Sequence, residues 1–213
     1  MLSLSIETSS EQGLINLFNH LCLATPTTVQ YYSDSLILSA TEALTLAQFT
    51  RPNISTLLYR SSRDGLTRTA FHSKCDGIPN TVTIVLNNLN YVFGGYTSVG
   101  FISPTGNYQY DSNAYIFSLR QATIITSGQK FSVRDPSKAL YAWTNAGPTF
   151  GSYVGSYYCD IAVGLDATLN YADFGASYNL PSGYSWGTTA TRNYLAGSYS
   201  SWTASQVEVY RIY

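Results

Sequence analysis

Two histidines and three cysteines supply the nucleophilic and acid–base options in this chain, and one pair stands close enough in sequence to cooperate. His72 and Cys75 lie three residues apart in Phe71-His72-Ser73-Lys74-Cys75, which puts them about 60° apart around a helix. An imidazolium beside a thiol lowers its pKa and yields a thiolate, so a peroxide-reactive Cys75 is one reading. In the other, Cys75 packs beside Phe71 as a small hydrophobe and His72 hydrogen-bonds locally. Free cysteine is among the most buried residue types and no resolving cysteine is evident, which favours packing. His20 lies far upstream, so any histidine-based catalysis would fall to His72.

Charges gather around the same segment. Arg60, Arg63, Asp64 and Asp76 could form an anion or metal site, or they could cap helices and tie turns together. Asp64-Gly65 and Asp76-Gly77 have the form of turn residues, which makes Gly65 structural. Arg63 and Asp64 are candidate partner contacts, as is Glu208 in Val207-Glu208-Val209-Tyr210. If the valines face the core, Glu208 points outward. If Tyr210 and Ile212 face the core, Glu208 is buried and needs a counter-charge. No Ser/His/Asp order, carboxylate pair or Cys/His metal spacing rises above background, so no metal and no cofactor is expected. The glycine-rich Gly147–Tyr158 run lacks the Gly-Lys-Ser/Thr ending of a phosphate loop, and no helical pattern follows it.

The elements that must position these residues are mostly short strands. Leu57–Arg60 reads as a strand closed by a turn at Ser62–Gly65, and Leu66–Cys75 as a short helix. Thr81–Leu86 alternates, with Val82, Ile84 and Leu86 on one side and Thr81, Thr83 and Val85 on the other. Asn87–Asn90 is a hairpin loop leading to Tyr91–Tyr96, where Gly94 and Gly95 mark a bulge or a close backbone approach. Further strands are expected at Ala114–Leu119, Thr123–Thr126, Lys130–Val133, Leu140–Trp143, Tyr158–Val163 and Gln206–Tyr213. Phe101–Asp111 and Tyr178–Trp202 read as loops, the latter long and exposed. Ser39 and Glu42 stand in capping-box spacing before a helix that must stop ahead of Pro52. Residues 1–34 form an N-terminal extension in which Leu14, Leu17, Phe18 and Leu21 make the stripe of one short amphipathic helix. That stripe would dock on the domain formed by residues 35–213 or receive a partner. The spacing of the strands predicts a mainly β fold, a sandwich of two antiparallel sheets with a few short flanking helices.

Composition narrows the function classes. The chain has 213 residues, a net charge of −1 and 11% charged residues, with no basic stripe, so a nucleic-acid ligand is not expected. Its 45% hydrophobic content and nineteen tyrosines suit many half-buried strands around one core. Cys22, Cys75 and Cys159 are odd in number and widely spread, as in a reduced, cytoplasmic protein. The N-terminus lacks a secretory pattern, and no apolar run is long enough to span a membrane.

The blocks LYRSSRDG, FHSKCDG, TVTIV and YVFGGYTS follow one another from Leu58 to Ser98. Tyr110-Asp111, Ala114–Leu119, Phe150-Gly151, Cys159–Val163, Tyr194–Ser198 and Val207–Tyr210 continue the series. In this order the blocks resemble the TLDc domain of eukaryotic oxidation-resistance proteins, most closely the protist type. The resemblance runs from about Ser35 to the C-terminus. It implies an intracellular, non-enzymatic protein-binding module that protects against oxidative stress. It also implies a link to the vacuolar proton-pumping ATPase, which some relatives bind. Within the blocks, Phe71, Gly94, Gly95 and Gly197 take structural roles. Two rival readings remain: a thiol-based enzyme using Cys75 with His72, and a carbohydrate-binding sandwich suggested by the tyrosines and the Gly/Ser/Tyr loops. Against the second stand the missing signal peptide and the absence of a calcium-binding acidic cluster.

Overall fold

The computed structural model describes residues 31–52, 54–102, 106–122, 124–152, 159–166 and 170–213, in a compact unit from Tyr31 to Tyr213. The Leu14–Leu21 stripe and residues 153–158 of the glycine-rich run lie outside the described residues. Helix α1 (Ala40–Thr50) begins on the expected capping box: Ser39 and Glu42 each bond the other's backbone N–H. It ends at Arg51, whose left-handed conformation (φ 46°) precedes Pro52. Strand β1 (Ser55–Arg60) follows, then α2 (Ser61–Asp64), a single turn, and α3 (Arg68–Cys75), capped by the Thr67 hydroxyl.

Strands β2 (Thr81–Asn87) and β3 (Val92–Thr97) form the expected hairpin. Asn87 shapes its turn by accepting the N–H groups of Leu89 and Tyr91 at 3.1 and 2.9 Å. Glycine is required at both positions after Phe93. A Cβ on Gly94 would stand 1.9 Å from the Thr83 carbonyl oxygen, and one on Gly95 would meet the Phe150 ring at 2.7 Å.

The remaining strands are β4 (Asn107–Gln109), β5 (Tyr115–Gln121), β6 (Ile124–Ser132), β7 (Leu140–Ala142), β8 (Thr149–Phe150), β9 (Ile161–Ala162) and β10 (Ala204–Ile212). Helix α4 (Thr189–Tyr194) precedes the last of them. The fold is mainly β, with two antiparallel sheets ordered β1-β10-β2-β3-β5-β6 and β4-β7-β8-β9. The last strand is therefore tied deep into the larger sheet, between β1 and β2.

The larger sheet is buried on both faces. Val85, Phe93 and Ile116 share an inner core with Leu140, Phe150 and Ile161 of the smaller sheet and with Phe71 of α3. Val82, Ile84, Phe117 and Tyr210 form an outer core with Leu46 of α1 and with Tyr32 and Ile37 of the segment before it. The alternation in β2 is thus real, but both of its sides are dry.

Three local expectations change. The strands expected at Thr123–Thr126 and Lys130–Val133 are one strand, β6. Gly128 (φ 72°) and a ladder irregularity between Ser118 and Arg120 absorb the polar stretch that looked like a break. The Phe101–Asp111 loop contains β4, which pairs with β7. The Tyr178–Trp202 segment contains helix α4 and is continuously exposed only from Ser182 to Ala190. Elsewhere aromatic anchors draw its Ser/Gly/Tyr composition inward: Tyr178 is fully buried and donates to the Ala139 carbonyl at 2.7 Å, and Leu195, Ala196 and Trp202 are core residues.

Candidate functional site

Helix α3 carries both residues with chemical potential, and the structure separates their roles. Phe71 and Cys75 face inward, both at 0% exposure, and the Phe71 ring meets Tyr59 and Phe101 edge to face. Burial pushes the Cys75 thiol well above its ordinary pKa, and the nearby Asp76 and Asp64 charges push it the same way. That is the opposite of an activated thiolate. His72 faces elsewhere. Its Nδ1 lies 2.9 Å from Asp76 Oδ1 and its Nε2 lies 3.0 Å from the Ala146 carbonyl. The imidazole ties the end of α3 to the 143–147 turn rather than addressing the thiol. An open cleft of about 540 Å³ beside it is lined by Arg68, Thr69, His72, Ser73, Thr144 and Asn145, without Cys75.

Arg63 and Asp64 sit on α2, immediately after β1. The Asp64 carboxylate accepts the Arg60 N–H at 2.9 Å, and Arg63 Nη2 donates to the Leu58 carbonyl at 2.8 Å. The two side chains also clasp each other, with contacts of 3.0 and 2.7 Å. Hydrogen bonding from Arg63 outweighs desolvation and holds Asp64 below the usual carboxylate range. Gly65 follows with φ 100°, a conformation that favours glycine.

Glu208 is at 0% exposure, because Val207 and Val209 face the inner core while Glu208 and Tyr210 face the outer one. Its carboxylate accepts from Arg60 Nε at 2.8 Å, Ser35 Oγ at 2.6 Å and Leu36 N–H at 2.9 Å. Tyr210 adds a longer contact at 3.4 Å. Arg60 also reaches the Asp34 carbonyl, so this cluster fastens residues 34–36 onto the sheet.

A second buried ion pair had no local signal in the sequence. Glu42, already in the capping box, also receives Arg120 Nη2 at 2.7 Å and Nε at 2.8 Å. Buried Asp111 and Asp160 were likewise not singled out. Asp111 accepts from Thr97, Ser98 and Asn113 within 2.6–2.9 Å, and Asp160 from the Gly175 and Ser177 amides at 2.7 and 2.8 Å. An acid inside an apolar run, as in Cys159-Asp160-Ile161, is the sequence signal that could have found the latter.

The family described as the TLDc domain matches residues 32–213, nearly the whole compact unit. The chain belongs to that family. No curated protein matches the chain. Within this TLDc domain, Gly197 (φ 77°) lies against the Tyr91 ring, where a Cβ would come within 2.6 Å. Among the described residues, no group of three or more His, Cys, Asp or Glu side chains could hold a metal ion. Also among them, no helix is long and apolar enough to cross a membrane.

Proposed function

We propose that this TLDc domain is a non-enzymatic protein-binding module acting in oxidative-stress protection, in the cytoplasm of a protist-type eukaryote. Subunits of the vacuolar proton-pumping ATPase are its partner class. The observation that carries this reading is where the reactive groups are engaged. Cys75 is sealed in the core, both His72 nitrogens have internal partners, and Glu208 is saturated. One surface offered to solvent is the segment that leads into α4. Ser182–Ala190 is continuously exposed and uncharged, and it carries Tyr184 (40% exposed) and Trp186 (52% exposed). Tyrosine and tryptophan are the residues that most often dominate protein interfaces. Arg63, Asp64 and Glu208 then contribute by holding the frame that presents such loops.

The test is affinity capture from an extract of the protein's own cells, with the wild-type domain and a Tyr184→Ser/Trp186→Ser variant as baits. Enrichment of proton-pump subunits by the wild type, reduced about tenfold or more by the variant, is expected for two interface aromatics. Equal recovery with both baits would remove the loop from the interface. No pump subunits with either bait would remove the partner class.

A further inference from the structure

A cleft of about 580 Å³ opens between the turn of the β2–β3 hairpin, the residues entering β10 and residues that follow β9. Among the described residues, it shares no lining residue with the His72 cleft or with the Ser182–Ala190 segment. Asn88 is fixed in the hairpin turn. It donates its N–H to the Thr203 carbonyl at 3.0 Å and accepts the Thr203 N–H on Oδ1 at 2.8 Å. Asn170 is fixed through its neighbour Tyr171, whose backbone exchanges two hydrogen bonds with Ala162 of β9 at 2.9 and 3.0 Å.

Asn170 is 5% exposed, and its Oδ1 accepts the Gly164 N–H at 3.0 Å. That bond decides which end of the amide is used up. Nδ2 remains a donor with no hydrogen-bond partner among the described residues, in a side chain that lines the cleft. A donor so placed is costly unless an acceptor reaches it from the cleft. Asn88 repeats the pattern on the exposed rim, with Oδ1 engaged and Nδ2 unpaired among the described residues. Asp166 supplies the opposite kind of partner. Its Oδ1 takes Arg68 Nε at 2.8 Å, while Oδ2 has no partner among the described residues. Leu66 and Leu165 add an apolar wall.

We propose that this cleft binds a neutral, hydroxyl-rich small molecule of the sugar class. A hydroxyl both donates and accepts, so adjacent hydroxyls on one ring can satisfy the Asn170 N–H and the Asp166 carboxylate together. The C–H face of such a ring suits the two leucines. Among the described residues Asp166 is the only charged side chain lining the cleft, which disfavours an anion. Its pairing with Arg68 weakens its pull on a cation. The site is additional to the partner-binding role and does not depend on it.

Trp202 reports occupancy, since it lines the cleft and its indole N–H has no hydrogen-bond partner among the described residues. In ¹⁵N–¹H spectra of the full chain the three tryptophans give three indole signals, assigned with Trp143→Phe and Trp186→Phe. Titration with glucose, galactose and mannose is expected to shift the Trp202 signal saturably for at least one of them. The matching uronate, which adds a carboxylate to the same ring, should bind about tenfold more weakly beside Asp166. Asn170→Asp keeps an acceptor for Gly164 but removes the donor, and should weaken binding about tenfold. If it does not fold, Asn88→Asp makes the same exchange on the rim and should weaken binding about fivefold. No saturable shift with any of the three sugars overturns the proposal. So does a uronate that binds as tightly, or a folded variant that binds like the wild type. A shift produced only by the uncharged peptide Gly-Ser-Gly would make the cleft a polypeptide site and overturn the sugar assignment.

Discussion

The two layers of this TLDc domain bury their acids by different means. In the outer layer Glu42 and Glu208 are paired with Arg120 and Arg60, and each pair joins segments far apart in sequence. In the layer of the smaller sheet Asp111 and Asp160 have no cation among the described residues, and hydroxyls and backbone amides hold them instead. Asp173 is intermediate: Arg192 reaches one oxygen at 3.0 Å while the other is buried without a hydrogen-bond partner among the described residues. The difference separates two tasks. An ion pair can clamp the 34–42 segment onto the sheet, because arginine spans the gap and brings its own charge. A short aspartate surrounded by amides organises the loop that wraps it and remains subject to desolvation.

Removing a cation should therefore be the most damaging change. Arg60→Ala leaves the Glu208 carboxylate buried without its counter-charge, a loss of about 3–5 kcal/mol. For a domain of this size that lowers Tm by on the order of 10 °C. Replacing both Arg60 and Glu208 with leucine should cost distinctly less, because no orphaned charge remains. Thermal unfolding of the single and double variants checks this. A double variant as unstable as the single one would mean that the carboxylate's bonds to Ser35 and Leu36 matter more than the charge pair.

Titration gives a subtler contrast. Burial pushes Asp160 up to about 7, against the opposing pull of the Gly175 and Ser177 amides. Burial also opposes ionisation of Glu42, but bonds from Arg120 and Ser39 prevail and hold it below its usual range. The signs are opposite. Asp160 holds a proton in the folded state that the unfolded chain has released, so its contribution is complete below its unfolded value and is lost as pH rises through about 7. Glu42's contribution is complete above its unfolded value and is lost as pH falls through its depressed one. Between about pH 5 and 8 the wild type should lose roughly 2–3 kcal/mol that Asp160→Asn does not lose. Melting curves across that range decide it, and parallel curves for the two proteins would show Asp160 already ionised at pH 5.

These acids also mark how far the sequence could be read. Local signals were legible: the Ser39–Glu42 box, the β2–β3 hairpin and the alternation in β2 follow from spacing alone. The same Glu42 could not be recognised as half of an ion pair, because its partner Arg120 lies on another strand and no periodicity links the two. Glu208 had two readings because that argument assumes one dry face, and β10 has two. The Tyr178–Trp202 segment misled by composition. Serine and glycine mark loops, but a loop with Tyr178, Leu195 and Trp202 as anchors is part of the core. The His72–Cys75 spacing was read correctly as neighbouring positions on a helix, but only packing shows that one faces the core and the other the 143–147 turn.

The smallest expected effect concerns buried polar groups that lack even an amide partner. Among the described residues, Thr83 Oγ1 and Ser118 Oγ are buried with no hydrogen-bond partner. Thr83 lies opposite Gly95 on β3, beneath the Phe150 ring that covers that glycine. Valine has nearly the same shape and suits a strand, so Thr83→Val removes a desolvated hydroxyl at little steric cost. A stabilisation of about 1 kcal/mol is expected, or roughly 2–4 °C in Tm. The change is opposite in sign to Arg60→Ala because a lone hydroxyl, unlike a carboxylate, leaves no charge behind when its environment turns apolar. A destabilised Thr83→Val would mean that this hydroxyl has a hydrogen-bond partner in solution and that the inner layer needs it.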